Sequence, residues 1–493
     1  MQQHHRRTGA RLVALCAALA LATSACTAAR EDTTPTGTTQ ARPSQPYTGP
    51  ALQVKAVPIG AKWDWSRFDS FTPFLKSLSG GATFYELVWC KVEPRPGERD
   101  WSDVDRVVDS ARGLGYQMYL KIRVGSCWAT DGRGGHLRGK KGKTASAMPV
   151  DMPRYRAFVR DAVRRYAAMG VHEYAVENEP NAANFWEGTP EELERLVTEA
   201  AGTIREADPK GLVVDPGVSS TAYGVAIARH LLDGGHPEEA VAAYQRYYAR
   251  RFPVRGRKLP RVGNEGELRE ALRGEQAATN LTYLQLADRL AARRVVDIRQ
   301  LHFYEPWDNV PALLDYLKAS LPPRFPVQAW EVGMFWVGGD DQPDARADEV
   351  TKTVSSLLAG GVRPIIWLPL AFDPAGRNGD EPRYGLLDPD GATRPAGDAV
   401  RSIAAAARQA SSVRPVRAAS ASGVALGGAD GTTMVVWSDG GDATVAAPPS
   451  DGATAKTVAG ETMTWGATGL RLTAKPVLLT VPIAPDRALR LIG

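Results

Sequence analysis

The alternation of two hydrophobic patterns along residues 54–370 limits most strongly how this chain can fold. Short apolar runs typical of buried β-strands alternate with segments whose apolar residues recur every three or four positions, as in amphipathic helices. The strand-like runs lie at 54–63, 83–90, 117–125, 173–178, 212–218, 297–304, 326–332 and 364–370. Eight strand–helix units match a (β/α)8 TIM barrel in number and in its usual length of about 250 residues plus insertions. The sequence therefore predicts an α/β barrel.

Helical patterns between these runs support the same fold. They lie at 101–114, 153–169, 190–206, 281–294, 311–320 and 348–359. A doubly wound open sheet is the competing architecture, and it is disfavoured because no Gly-rich turn follows the first strand. The connections after the third and fifth strands, 128–152 and 219–280, are long, so we expect them to shape a cleft over the carboxyl ends of the strands.

The pattern changes after about residue 410. Residues 412–493 show short alternating runs separated by Gly, Asp and Pro, which predict a small all-β, sandwich-like domain. We therefore expect a barrel at 51–410 and a β-domain at 411–493. Because the second part has few aromatic residues and no obvious site, we expect it to cover a flank of the barrel.

The first 50 residues have the features of an export signal and a tether. Residues 1–26 combine an arginine-containing start, a short apolar stretch and small residues before Cys26, which predicts a signal peptide with a lipobox and lipidation of Cys26. Thr23 departs from the usual aliphatic residue, so plain secretion is the alternative. Residues 27–50 are rich in Thr and Pro and predict a disordered tether. The expected location is outside the cell, anchored to the outer face of the membrane by lipid alone.

Two cysteines remain in the folded part, Cys90 and Cys127, near the ends of consecutive predicted strands. An exported protein keeps disulfides. A bridge and two free buried thiols both stay open, since sequence cannot fix connectivity.

The charge of the chain is unevenly distributed. Residues 131–143 and 246–261 carry net charges of +4 and +7, whereas the whole chain carries +5. Such segregation predicts an anionic substrate or surface. Solvated surface charge without a partner is the alternative.

Two glutamates end predicted strands in polar surroundings. Glu179 follows the fourth strand in Glu-Asn-Glu-Pro-Asn, where Pro180 stops the ladder, and Glu331 ends the seventh. In a barrel these strand ends face one another across the mouth. One acid to protonate a leaving oxygen and one carboxylate to attack the anomeric carbon, about 5–5.5 Å apart, are what retaining glycoside hydrolysis requires. We assign Glu179 as acid/base and Glu331 as nucleophile.

The motifs around these residues resemble those of glycoside hydrolase clan A, with family 39 the most similar and family 5 next. The similar motifs cover roughly residues 55–408. Two of them contain the glutamates, namely Glu177-Asn178-Glu179-Pro180-Asn181 and Trp330-Glu331-Val332-Gly333. The others are Val88 to Pro94 with Pro96-Gly97 and Asp100-Trp101, Leu301-His302-Phe303-Tyr304, and Trp367 with Tyr384 to Leu387 and Arg394-Pro395-Ala396.

By this resemblance Asn178 would bind the hydroxyl next to the reacting carbon, and His302 and Tyr304 would line the site. Tyr304 would reach the nucleophile, and Trp367 would carry the sugar ring. The arginine that the clan often has on strand two is Phe84 here. Arg123 on strand three is its candidate replacement, with a structural salt bridge as the alternative.

Further tryptophans are candidate sugar platforms or packing residues, namely Trp89, Trp128, Trp307 and Trp336.

No His/Cys cluster has zinc spacing and no phosphate loop is present, so we expect no metal, no cofactor and no nucleic-acid partner. The expected partner is an oligo- or polysaccharide. A non-catalytic carbohydrate-binding surface lipoprotein and a transglycosylase are the alternative functions.

Overall fold

The computed structural model describes residues 57–134, 145–252, 259–334, 342–372, 384–418 and 420–493. Cys26, the predicted signal peptide and tether, and Trp336 lie outside the described residues.

Within these ranges, eight parallel strands form the barrel. They are β1 (Ile59–Ala61), β2 (Ala82–Val88), β3 (Gln117–Arg123), β4 (Glu173–Val176), β5 (Leu212–Val214), β6 (Arg299–Phe303), β7 (Val327–Val332) and β8 (Ile365–Trp367). Each lies inside or beside the run predicted for it. The hydrogen-bonded orders are β2-β3-β4-β5 and β1-β8-β7-β6.

Two seams join these sheets into a ring. Parallel bridges Val214↔Ile298 and Val218↔Leu301 connect the β5 side to the β6 side. At the other seam, a Cβ on Gly60 of β1 would lie 1.9 Å from the carbonyl oxygen of Ala82 at the start of β2, so the two backbones touch. The ring confirms the predicted (β/α)8 barrel.

Helices surround the ring, apart from the short last helix, which belongs to the C-terminal part. In chain order they are α1 (Phe68–Ser77), α2 (Trp89–Val92), α3 (Ser102–Gly113), α4 (Met152–Ala167), α5 (Pro190–Ala207), α6 (Thr221–Asp233), α7 (Pro237–Tyr247), α8 (Glu265–Arg273), α9 (Glu275–Ala292), α10 (Val310–Ser320), α11 (Pro343–Ala359), α12 (Pro395–Gln409) and α13 (Pro485–Ala488).

Local chemistry explains where a helix such as α5 begins and which face it buries. Thr189 accepts a hydrogen bond from the Glu192 amide and Glu192 reaches back to the Thr189 amide, which is a capping box. Pro190 occupies the first turn, where no donor is lost. Leu193, Leu196, Val197 and Ile204 recur on one face and are buried. No helix in the described part of the chain is both long and apolar enough to cross a membrane.

Aromatic side chains fill the lower part of the barrel interior. The ring of Trp330 stacks on Tyr119 at a centroid distance of 4.9 Å and on Phe84 at 6.1 Å. Small and branched residues complete this cluster, namely Ala82, Ala175, Val214, Ile298 and Ile366. Because side chains alternate along a strand, Lys121 and Arg123 follow Tyr119 on the inward face of β3. Polar groups therefore lie at the carboxyl end of the barrel.

A disulfide joins the segments that follow β2 and β3. Cys90 and Cys127 are bridged, with their Cα atoms 5.6 Å apart. This resolves the pairing that the sequence left open.

The C-terminal part is all-β. Within residues 412–418 and 420–493, antiparallel strands β9 (Ser412–Ala418), β10 (Ala421–Gly428), β11 (Gly431–Ser438), β13 (Thr454–Thr457) and β15 (Val477–Val481) form one sheet, and β12 (Thr444–Val445) pairs with β14 (Leu470–Arg471). Val424, Leu426 and Val435 pack into the barrel's core cluster, whereas Met434 and Val436 belong to a separate one. The fold class, a barrel followed by a small all-β part, is confirmed.

Candidate active site

The polypeptide turns sharply where β4 ends. Glu177 has a φ of 68° and Glu179 a φ of 43°, both in the left-handed region that non-glycine residues seldom adopt. Backbone bonds hold the turn, since the Glu177 amide donates to Ile122 O and the Glu179 amide donates to Gly217 O, each at 3.0 Å. The strained turn brings Asn178 and Glu179 to the mouth of the barrel.

A bulge in β7 brings Glu331 to the same mouth. Gln328 and Glu331 of β7 oppose Gln300 and His302 of β6, so β7 has one more residue than β6 between these pairs. The pairing of β7 with β8 shows the same extra residue. Since a bulge re-aims the side chains beside it, Trp330 can fill the barrel interior while Glu331 meets the polar groups above it.

The two carboxylates lie close together. One oxygen of Glu179, one of Glu331 and a ring nitrogen of His302 lie within 4.8 Å of one another. The Nδ1 atom of His302 is 2.9 Å from Glu179 Oε1 and 3.7 Å from Glu331 Oε2. These three side chains have the donor types of a metal site, but the ammonium of Lys121 lies 2.8 Å from Glu331 Oε1 and disfavours a cation there.

The surroundings of Glu331 favour its charged form. The carboxylate is 6% exposed, Lys121 Nζ donates to Oε1 at 2.8 Å, and the Tyr304 hydroxyl donates to Oε2 at 2.8 Å. Burial alone would raise the pKa of Glu331, but His302, Lys121 and these two hydrogen bonds outweigh it and hold that pKa far below its usual range. Glu331 is therefore ionised at neutral pH.

A hydrogen-bond chain fixes the orientation of His302. The amide nitrogen of Gln300 donates to the backbone oxygen of Asp215 at 2.8 Å, so the Gln300 Oε1 atom faces His302 Nε2 at 2.8 Å. His302 Nε2 must then carry the hydrogen and donate it, an assignment from the network. The remaining ring nitrogen, Nδ1, faces Glu179 Oε1 at 2.9 Å, so one hydrogen bond joins the two side chains. Glu179 and His302 thus form one hydrogen-bonded pair.

Arg123 does not lie beside this pair. Its guanidinium contacts Glu86 at 2.9 Å and Glu177 at 3.4 Å, and it donates to Phe185 O at 3.2 Å. Burial raises the pKa of Glu177 and the charge of Arg123 opposes that rise. Arg123 therefore forms the structural salt bridges that the sequence left open as an alternative, and its role in substrate binding stays a prediction. Lys121 is the cation that contacts Glu331.

Two of the candidate tryptophans are almost completely buried in this structure. Trp89 and Trp367 are each 1% exposed. Trp89 stacks on Phe158 at 5.4 Å, and the Trp367 indole donates to Tyr384 O at 3.2 Å. Both rings therefore pack in the interior of this structure, as the packing alternative for Trp89 expected, and the sugar-carrying role of Trp367 stays a prediction. Trp128 is half-buried, edge-on to Trp89, and donates to a backbone oxygen.

The sequence interpretation missed Lys121 and Gln300. Both lie on barrel strands among apolar neighbours, Lys121 between Leu120 and Ile122. A lysine on the inward face of a strand, two positions before an arginine on the same face, was the available signal. A buried lysine needs an acceptor, which here is a candidate catalytic carboxylate.

No sequence-family model matches the chain, and no curated protein matches it. Solved structures do resemble it. A family 39 glycoside hydrolase from the gut symbiont Bacteroides cellulosilyticus WH2 superposes with a TM-score of 0.56 at 14% identity, covering 87% of this chain and 81% of that chain. A GH39 β-xylosidase from Caulobacter crescentus gives a TM-score of 0.53 at 13% identity, covering 87% and 96%. At such identities the likeness establishes the fold alone, and it confirms that this chain has the fold of clan A, family 39-like glycoside hydrolases.

Proposed function

We propose that this protein is a retaining glycoside hydrolase with Glu179 as acid/base and Glu331 as nucleophile. The observation that carries the proposal is the closeness of the two carboxylates, whose oxygens lie within 4.8 Å of each other. Retaining enzymes hold their carboxyl groups about 5–5.5 Å apart and inverting enzymes about 6.5–9.5 Å apart. The short separation leaves no room for a water between Glu331 and the sugar.

The reaction has two steps in which Glu179 changes role. In the first, a Glu331 oxygen bonds to the anomeric carbon, the glycosidic carbon–oxygen bond breaks, and Glu179 gives its proton to the leaving oxygen. In the second, Glu179 takes a proton from water, the water oxygen bonds to the anomeric carbon, and the ester bond to Glu331 breaks. His302 Nδ1, 2.9 Å from Glu179, supports both states because it can donate to the carboxylate and accept from the acid.

The test compares turnover and covalent labelling in the wild-type protein and in Glu331→Gln. The substrates are dinitrophenyl glycosides, xylosides included because one structural relative is a β-xylosidase. Turnover should vanish in the variant, and a 2-deoxy-2-fluoro glycoside should label the wild-type peptide that carries Glu331. Unchanged turnover or a label elsewhere refutes the assignment. Glycan binding without product favours a non-catalytic binding protein, and lengthened glycans indicate a transglycosylase.

We also propose that the glycan is anionic. The basic insertions, from which the sequence predicted an anionic partner, support this only weakly. Several arginines of the basic insertions are neutralised: Arg133 pairs with Glu192 at 3.3 Å, and Arg250 and Arg251 pair with Glu349 and Glu305. The better support comes from Lys62, directly after β1 at the mouth of the barrel.

Lys62 Nζ donates to Phe84 O at 2.9 Å, and in the described part of the chain no carboxylate lies within ion-pair distance of it. A half-buried ammonium with spare donors suits a sugar carboxylate or sulfate. Aryl uronides should therefore be cleaved faster than their neutral counterparts, with a rate that falls as salt rises. Lys62→Met should remove this preference. A preference for neutral sugars that is indifferent to salt contradicts an anionic substrate.

We propose, from the sequence alone, that the protein is exported and held on the outer face of the membrane by lipid on Cys26. Radiolabelled palmitate should label the wild-type protein, and Cys26→Ala should be released into the medium. Equal retention of both forms rules out the lipid anchor.

A further inference from the structure

Lys121 is a fully buried cation at the centre of the candidate site. Its side chain is 0% exposed, and its Nζ atom lies 2.6 Å from Asn178 Oδ1, 2.8 Å from Glu331 Oε1 and 3.3 Å from His302 Nε2. An ammonium has only hydrogens to offer. Asn178 Oδ1 and Glu331 Oε1 can accept from it, whereas His302 Nε2, which carries a hydrogen, cannot.

The contact with Asn178 decides how that amide is oriented. Since Nζ can only donate, the amide oxygen must face Lys121, and the amide NH2 group must then point the other way. An NH2 group is a donor, so Asn178 would meet the sugar hydroxyl as a donor. Without the ammonium, either end of the amide could face the sugar.

The contact with Glu331 keeps this carboxylate charged. Lys121 and Tyr304 each hold one of its two oxygens at 2.8 Å, and the carboxylate is almost completely buried. A buried carboxylate without a cation beside it would favour its neutral form, which cannot attack. The same ammonium thus acts on both groups.

The packing around Lys121 holds it in place. Its Nζ atom lies 4.3 Å from the centre of the Phe84 ring, at a favourable cation–π distance. Phe84 occupies the position at which the clan often has an arginine. The ammonium beside Glu331 therefore comes from β3, the strand next to the one that carries Phe84, and it packs against the Phe84 ring.

We propose that Lys121 is the positioning residue of this site, fixing which end of the Asn178 amide faces the sugar and keeping Glu331 ionised. The inference rests on the proposed glycosidase function. Lys121 itself does not touch the substrate in this scheme; it acts through Asn178 and Glu331.

The first experiment measures kcat/KM against pH for the wild-type protein, Lys121→Met and Lys121→Arg. Removing one hydrogen-bond donor from an active site typically costs about 10²–10³-fold in rate, and we expect a loss of this order in Lys121→Met. In Lys121→Met, the acid limb of the kcat/KM–pH profile should move to higher pH, because Glu331 would take up a proton more readily. Lys121→Arg keeps the charge, so its acid limb should stay near that of the wild type.

The second experiment asks whether the loss depends on the hydroxyl that Asn178 would bind. A glycoside and its 2-deoxy counterpart are compared in both proteins. If Lys121 orients the amide, Lys121→Met should lose several-fold more activity on the normal glycoside than on the 2-deoxy one. A merely structural role would lower both rates equally.

Thermal unfolding and circular dichroism establish whether each variant is folded, and Lys121→Gln replaces Lys121→Met if the latter is not. The inference about Lys121 is overturned, and the proposed function stands, if the wild type is active but two results are absent. These are a shift of the acid limb in Lys121→Met and a larger loss of activity on the normal glycoside than on the 2-deoxy one. A wild type that is inert on every glycoside overturns the proposed function, and the inference falls with it.

Discussion

Two residues with left-handed backbone flank Asn178, and they explain how the site keeps its shape. A non-glycine residue in this conformation costs on the order of 1–2 kcal/mol, and both Glu177 and Glu179 adopt it. Glu177 is secured by the Val124 amide, which donates to its Oε1 at 2.7 Å, and by Arg123. Local strain of this kind persists where the surroundings over-determine it. The turn therefore presents Asn178 and Glu179 without needing the substrate.

At this scale the acid/base role of Glu179 is testable by replacing it. In Glu179→Ala, dinitrophenyl glycosides should keep much of their first-step rate because their leaving groups need little protonation, whereas unactivated glycosides should lose about 10²–10⁴-fold. Added azide should restore turnover, because it attacks the glycosyl-enzyme without needing a base. The measurement is the rate with and without azide, with the product analysed by NMR.

The matched control for that experiment is Glu331→Ala. Azide in this variant would replace the nucleophile itself, so its glycosyl azide should have the anomeric configuration opposite to that of the substrate. Glu179→Ala should give the same configuration as the substrate. If azide rescues neither variant, or if both variants give the same anomer, the two roles are misassigned.

Among the elements, β4 and β7 separate what the sequence could predict from what it could not. The run Tyr174–Val176 followed by polar residues and Pro180 predicts a strand end, because proline cannot extend a ladder. The bulge in β7 is different. Nothing in the sequence of β7 indicates that Trp330 and Glu331 depart from strict alternation, since a bulge depends on the registers of both neighbouring strands.

Burial was the other quantity that sequence could not supply. Trp89 and Trp367 were expected at a sugar-binding face, but aromatic rings serve packing as readily as recognition. The pattern of a single strand does not show what covers it. Helix α1 was also missed. Its buried residues Phe71, Phe74 and Leu75 keep helical spacing, but Pro73 lies inside it, where a proline usually ends a helix.

The disulfide that joins the segments after β2 and β3 is an element whose contribution can be measured. Cys90 and Cys127 are 37 residues apart, and closing a loop of that length restricts the unfolded chain by about 4 kcal/mol. The double variant Cys90→Ala/Cys127→Ala should therefore unfold at clearly lower urea concentration. Its activity below the transition should remain, because the candidate catalytic residues lie in the turn after β4 and on β7, outside the segments that the bridge joins.

Wild-type protein unfolded with and without a reducing agent is the control for this comparison. Reduction should reproduce the shift seen in the double variant and should leave the double variant itself unchanged. An identical urea midpoint for oxidised wild type and the double variant would show that the bridge does not stabilise the fold.

On the scale of the whole molecule, the β-sheet and the barrel share hydrophobic packing. Trp437 of β11 meets Trp307 edge to face at 5.5 Å, and Lys352 of α11 lies over both rings at 5.8 and 4.7 Å. Trp307 lies three residues beyond Tyr304, the hydrogen-bond donor to Glu331. Trp307 is half-buried and packs against Trp437 at 5.5 Å, so it links the barrel to the sheet.

This shared packing predicts that Trp437 stabilises the barrel as well as the sheet. Trp437 is 1% exposed, and truncating so large a buried side chain typically costs about 3–5 kcal/mol. Trp465 is the matched control, because it is only half-buried and packs beside the separate cluster of the β-part. Trp437→Ala should lower the temperature at which glycosidase activity is lost, whereas Trp465→Ala should shift it much less. If Trp437→Ala melts the β-part alone while activity survives to the wild-type temperature, the two parts unfold independently, and the contact between the tryptophans does not stabilise the barrel.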